Sequence, residues 1–419
     1  MLRLVIAVLA LLLPVPVLAQ DQTTLEARAQ DVAAVVRGDA AYGEVFAPDF
    51  VAAVPESQFA ALLAQWRAQM GTFEGLEGIE PGAEPGSGTI SLRYSGAVVS
   101  GPIRLENAPP WRVSGLLLNA IRPAQQGRSA VELVRDLPGD TAFLLARLDG
   151  SQVLAEHNAA QQMAVGSTFK LYVLSALVRQ VASGQRRWDD VVPLTERSFP
   201  SGQMQDWPPG TPVTLQTLAT MMIAISDNTA TDQLMHVIGR GAVEEELIAS
   251  GHADPRAALP MLSTRELFLL KLGPDGQLVR YATGTPEDRR AILATLEDRQ
   301  LDMAQMQAVF ANGPRNIGVE WFASAQDIAA IYRRLVADPV ARGILGVNLG
   351  IDRTPFAAWQ WAGYKGGSEP GVLNFSWVMQ DQGGEFWTLV MTWNNPDAVV
   401  SEVQLLAIAQ QALAEAARQ

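Results

Sequence analysis

The sequence predicts an α+β protein: an antiparallel five-stranded sheet with helices on both faces and an all-helical subdomain, preceded by a small α+β unit. Three observations carry this. Two alternating apolar segments, 141–148 and 152–156, are joined by the hairpin pair Asp149-Gly150. Three more strand-like segments, 359–365, 372–380 and 386–393, lie near the end of the chain, and an amphipathic segment at 398–416 closes it. Helical patterns fill roughly 168–338 between the two groups.

The order of elements begins with a leader. Arg3 provides a positive start, residues 4–13 are continuously apolar, Pro14 and Pro16 interrupt, and Val17-Leu18-Ala19 offers a cleavage site before Gln20. Residues 1–19 therefore read as a secretory signal. The apolar run is short for a span, which predicts no stable membrane anchor. The chain has no cysteine, so an exported form is stabilised by its core and its nucleophile is not a thiol. The expected address is the periplasm.

Residues 22–122 read as the small unit. Apolar residues recur at helical spacing in 25–36 and 57–70. Residues 80–88 are a Gly- and Pro-rich break, and 89–94, 97–105 and 111–119 then read as strands. Two helices followed by a curved antiparallel sheet resemble a ketosteroid-isomerase-like cone in layout. Residues 123–135 read as a linker running into a short helix at 130–134, and 135–419 form the second domain. A length of 419 residues fits two domains, and 48% hydrophobic with 18% charged residues supplies a large core. A net charge of −13 argues against nucleic acid as a partner.

The basic residues are unevenly chosen. Three of 31 are lysine, at 170, 271 and 365, and the rest are arginine. Arginine stays protonated in proteins, whereas lysine loses its proton readily when buried. Lys170 follows Ser167 by three residues, in Gly166-Ser167-Thr168-Phe169-Lys170, ahead of the apolar run Leu171-Tyr172-Val173-Leu174. Residues i and i+3 share a helical face, so a lysine of lowered pKa can take the proton of Ser167 at the start of a buried helix. The plainer reading is a helix-capping serine followed by a surface lysine. Ser226-Asp227-Asn228 joins two apolar helical runs and can project a hydroxyl and an amide into a cleft; it also fits a helix start. Lys365-Gly366-Gly367-Ser368 ends an apolar strand. There Gly366 and Gly367 allow close backbone approach, Lys365 supplies charge for a carboxylate, and the Ser368 N–H can pair with the Ser167 N–H as an oxyanion hole. A flexible hairpin turn is the alternative. Lys271 has no such company and reads as a surface residue.

Ser-x-x-Lys, Ser-Asp-Asn and Lys-Gly-Gly-Ser in this order resemble the serine-active β-lactamase and penicillin-binding superfamily, class A β-lactamases above all. Residues 158–170, and the block from Pro208-Pro209-Gly210-Thr211-Pro212 into Ser226-Asp227-Asn228-Thr229-Ala230, are similar to the corresponding class A blocks. The resemblance covers about 135–419 and implies a β-lactamase-like fold and an acyl-enzyme mechanism. By it Ser167 attacks a carbonyl, Lys170 takes the proton directly or by relay, and Ser226 passes a proton to the leaving nitrogen. Asn228 holds a substrate amide, while Lys365, Gly367 and Ser368 bind the substrate's carboxylate and carbonyl.

Two departures stand out. Gly366 replaces the Thr or Ser of the family motif, removing a hydroxyl contact to the carboxylate. The glutamate that positions the deacylating water in class A enzymes has no counterpart in 250–260. His252 and Asp254 are candidate substitutes, against a structural role in the loop. Glu244, Glu245 and Glu246 read as a solvated helical face. An insertion at about 274–322 separates the chain from compact class A enzymes. The layout of a cone-like domain before a class A-like domain resembles an accessory protein of clavulanic acid clusters, which suggests esterase activity on modified β-lactams. The expected function is a serine hydrolase opening β-lactams or related esters and amides through an acyl-Ser167 intermediate. Its alternatives are an esterase or penicillin-binding-like protein with slow deacylation, and a non-catalytic binder of peptidoglycan or β-lactam. The expected partner is a small-molecule substrate. Three scattered histidines give no metal site, and no phosphate or dinucleotide fingerprint points to a cofactor.

Overall fold

A computed structural model describes residues 17–311 and 313–418, in two compact units, Met1–Gly127 and Arg128–Gln419. Most of the expected signal sequence lies outside the described residues. Its cleavage site, Val17-Leu18-Ala19, falls in the first turn of the helix Val17–Arg37.

The first unit places the helices Val17–Arg37, Tyr42–Val45, Pro48–Ala53 and Glu56–Met70 ahead of five strands. These are β1 (Phe73–Pro81), β2 (Ser87–Tyr94), β3 (Ala97–Leu105), β4 (Val113–Leu116) and β5 (Ala120–Pro123). They pair antiparallel in the order β1-β2-β3-β4, with β5 also on β3. Ile90, Leu92 and Tyr94 of β2 and Ile103 of β3 are buried, as is Phe46. Tyr42 lies 4.7 Å from Phe46 and 5.1 Å from Phe59 between ring centroids. β1 has no clean sequence signal because register shifts after Phe73 and Leu76 break its period-2 alternation. The expected strand at 111–119 is the shorter β4, and β5 follows it as a strand the sequence did not announce.

The second unit holds β6 (Asp140–Arg147), β7 (Val153–His157), β8 (Met163–Ala164), β9 (Val191–Pro193) and β10 (Pro212–Thr214). It continues with β11 (Phe322–Ala323), β12 (Trp361–Glu369), β13 (Val372–Gln380) and β14 (Phe386–Asn394). The main sheet is five-stranded and antiparallel, ordered β12-β13-β14-β6-β7. This is the α+β class and the sheet that the sequence predicts.

Both faces of this sheet are covered, as its apolar strands require. Val378 and Val390 join a core with Leu171, Leu218 and Ile328 from the helices between the strand groups. Their neighbours Trp377 and Met391 join a second core with Leu133, Leu405 and Leu413, from Ala130–Arg135 and the closing helix Glu402–Ala416. Alternation along the strand thus divides the side chains between two cores. The insertion carries the helices Asp275–Thr283, Pro286–Ala294 and Met303–Ala311.

Two expectations are corrected here. Lys365-Gly366-Gly367-Ser368 lies within β12, because the hairpin turns only after Glu369, which pairs with Val372. Glu246 is no solvated residue: it is fully buried and accepts from Ser175 Oγ and Arg334 Nε, each at 2.6 Å. Glu245 is exposed against Arg179, as a solvated face requires.

Candidate active site

Ser167 sits in a 3-10 turn, Gly166–Phe169, that feeds the helix Lys170–Ala182. The turn is fixed from three sides. The Val165 N–H donates to Trp321 O at 3.0 Å, and Thr168 Oγ1 donates to Asn374 Oδ1 at 2.8 Å. The Phe169 ring stacks on Trp321 at 3.8 Å and 6°. Gly166 adopts φ +50°, and a Cβ there would stand 3.0 Å from Ser368 N. A Cβ on Gly367 would stand 2.5 Å from Ser167 N. Glycine at both positions lets β12 approach the turn, bringing the Ser167 and Ser368 amides to one place.

Ser226 links the two helices Leu215–Ala224 and Asn228–Ile238 with φ +57°, a left-handed conformation that costs a non-glycine residue about 1–3 kcal/mol. The surroundings hold it there. Asp227 caps the second helix through Ala230 N at 2.8 Å, and its other oxygen accepts from Gln203 N at 2.6 Å and Met204 N at 2.9 Å. Lys170 Nζ donates to Ser226 O at 2.7 Å.

The two cleft lysines meet at one hydroxyl. Ser226 Oγ lies 3.2 Å from Lys170 Nζ and 3.1 Å from Lys365 Nζ. Both lysines are buried. Burial lowers Lys170 to about 7, against the pull of Asp232 and Asp227. Burial, then repulsion from Lys170, carries Lys365 well below the ordinary lysine range. A hydroxyl between two such amines can accept from one and donate to the other, so a proton can pass across it.

The sequence-derived residues converge here, with adjustments. Ser167, Ser226, Asn228, Lys365, Gly367 and Ser368 line one cleft of about 340 Å³, and Lys170 lies directly behind it. Lys170 is turned to Ser226 and to Asn228 Oδ1 at 2.8 Å, and no hydrogen bond joins it to Ser167 among the described residues. Ser167 Oγ likewise has no hydrogen bond to Ser226 among the described residues, so Ser226 contacts both lysines while Ser167 stands beside it in the cleft. Asn228 Nδ2 also donates to Phe199 O at 3.1 Å, which leaves one amide N–H uncommitted. His252 is buried against Phe322 O at 2.9 Å and Asp254 caps Pro255–Ala258; neither lines the cleft.

Sequence reasoning missed other wall residues: Phe268, Trp321, Tyr364 and Glu369. It also misplaced Lys271, which is fully buried rather than on the surface. Its Nζ is 2.9 Å from Glu320 Oε1 and also pairs with Glu369. Period 2 along β12 was the available signal for Glu369, which shares a face with Lys365 and Gly367. Phe268 and Trp321 carry no local signal.

Several solved structures are similar to the chain. A β-lactamase from Sphaerobacter thermophilus matches at 20% identity, covering 69% of this chain and 95% of its own, with TM-score 0.48. A class A β-lactamase from Mycobacterium abscessus matches at 17% identity over 69% and 97%, with TM-score 0.47. The structure of PBP-A matches at 16% identity over 68% and 94%, with TM-score 0.44. No curated protein matches the chain. The model of the beta-lactamase enzyme family matches residues 128–341, just over half of the sequence, a span that includes the Gly166–Phe169 turn and the Ser226 link and ends before β12. The chain therefore belongs to the beta-lactamase enzyme family.

Proposed function

We propose that the chain is a serine hydrolase that opens β-lactams or related esters and amides through an acyl-Ser167 intermediate. The observation that carries this is the bridge Lys170–Ser226–Lys365 beside Ser167 in one cleft. Ser167 Oγ attacks the carbonyl carbon, and its proton passes through Ser226 to Lys170. The oxyanion meets the Ser167 and Ser368 N–H groups. The leaving nitrogen takes a proton from Ser226 as the C–N bond breaks, leaving the acyl ester on Ser167. Incubation with a penicillin, followed by intact-mass and peptide mapping, is expected to place one acyl group on Ser167 and none on the Ser167→Ala protein. An adduct elsewhere, or unchanged cephalosporin turnover by Ser167→Ala, would sink the reading.

A long-lived acyl-enzyme is favoured by the state of Glu369, one of the carboxyls of the cleft. Among the described residues that line the cleft, the carboxyls are Glu369 and Glu402. Burial and the neighbouring Glu320 charge push Glu369 up, against the pull of Lys271, and the protonated form is a poor base for water. The adduct is expected to persist for minutes on the mass-spectrometric time course; loss within seconds would refute slow deacylation.

We further propose export to the periplasm by the leader around Arg3, and a ketosteroid-isomerase-like character for the first unit, supported by its helices preceding an antiparallel sheet.

A further inference from the structure

Gly366 lacks the side chain that a hydroxyl contact at its position would need, yet a hydroxyl stands there. A Cβ built on Gly366 would run into the phenol oxygen of Tyr364 and lie 2.7 Å from Tyr364 Cζ and 3.1 Å from Asn374 O. Residues 364 and 366 share one face of β12, so the tyrosine leans along the strand over the glycine. Its ring is fixed by Trp377, at 5.0 Å between centroids, and by Gly350, where a Cβ would stand 2.7 Å from Tyr364 Cζ. Glycine at 350 and 366 makes room for the ring at both ends.

The hydroxyl itself has no hydrogen-bond partner among the described residues, and Tyr364 lines the cleft that holds Ser167 and Ser226. Burial raises the phenol far above its usual range, with smaller contributions from Tyr332 and Glu402, so it keeps its proton and is available to donate. Lys365, next along the strand, contacts Ser226 Oγ and Gly366 O, and in its ammonium form, which a bound anion favours, it keeps a third N–H for that anion. An uncommitted O–H beside an ammonium suits a carboxylate, and an anion there also returns charge to a lysine that burial discharges. Glu402, the acidic residue on this side of the cleft, is exposed, so water weakens its repulsion.

We propose that the Tyr364 hydroxyl, together with Lys365, binds a carboxylate on the substrate, taking the place of a hydroxyl at position 366. This deepens, and rests on, the reading of the cleft as the substrate site of an acylating serine.

Affinity tests it with chemistry switched off. In the Ser167→Ala protein, calorimetric titration compares a cephalosporin free acid with its methyl ester. The acid is expected to bind about tenfold or more tightly than the ester, the scale of a hydrogen bond to a charged group. Adding Tyr364→Phe, which keeps the ring and its packing, is expected to remove most of that preference without weakening the ester. Exchanging the pair, Tyr364→Ala with Gly366→Thr, is expected to restore it. Equal binding of acid and ester, or a preference that survives Tyr364→Phe, would overturn the role of Tyr364. A preference lost in Tyr364→Phe, in a protein whose Ser167 form gives no acyl adduct, would support the carboxylate site and instead remove the acyl-enzyme reading.

Discussion

Replacing Lys170 by Ala is expected to slow acylation of Ser167 by about 10²–10⁴-fold, the usual worth of a positioned general base. The residue is poised for that work by burial, which lowers it to about 7 against two nearby carboxylates. Roughly half the molecules then hold a neutral amine at neutral pH, and the conjugate acid is strong enough to return the proton. The sign of the pH dependence follows. Below about pH 7 the amine is protonated and cannot accept, so acylation falls by about tenfold per pH unit; above it the rate levels. Lys170→Arg separates charge from proton transfer, because arginine keeps the positive charge and hydrogen bonds but cannot become neutral. Both variants are expected to lose acylation in stopped-flow mixing with a chromogenic cephalosporin, while thermal unfolding reports whether each is folded. A folded Lys170→Arg protein that acylates at the wild-type rate, or a flat profile from pH 5 to 8, would show that Lys170 is not the acceptor.

What could be read from the sequence depended on how local the cause was. The five strands of the main sheet were legible because they are apolar runs, four of eight or nine residues and one of five, set between turn residues. The strand β1 was not, since two register shifts interrupt its alternation. The motif residues were legible because helix and strand periods bring i and i+3, or i and i+2, to one side. The wall of the cleft was less so. Trp321 reaches Phe169 across 152 positions of chain that include the insertion, and nothing near either residue announces the stack. Glu246 looked like part of a solvated triplet because its partners, Ser175 and Arg334, lie 71 and 88 residues away. Charge in a sequence is read as exposure unless a partner is close by, and buried ion pairs are where that rule fails.

Lys271 is the sharpest such failure and gives the largest expected effect on stability. It ends the helix Thr264–Lys271, and its ammonium is wholly buried between Glu320, 49 residues on, and Glu369, 98 residues on. Desolvation alone would lower its pKa; the two carboxylates outweigh that and raise it, so it is charged in the folded protein. Lys271→Ala leaves two acidic groups in a site without a cation, and removal of one partner from a buried ionic cluster costs about 3–5 kcal/mol. Urea unfolding of the full chain followed by tryptophan fluorescence measures this. The cost carries a signed pH dependence. The Glu369 carboxyl binds its proton more tightly folded than unfolded, through burial and Glu320, so its ionisation costs stability as pH rises above the ordinary carboxyl range. Without Lys271 that pull upward grows, and the gap between variant and wild type is expected to be wider at pH 8 than at pH 5. The triple replacement Lys271→Met, Glu320→Gln and Glu369→Leu takes out the charges together and is expected to recover most of the lost stability. A loss below about 1 kcal/mol in Lys271→Ala, the scale of an exposed pair, would mean that the cluster is hydrated in solution and contributes little to holding β12 against the helix that carries Lys271.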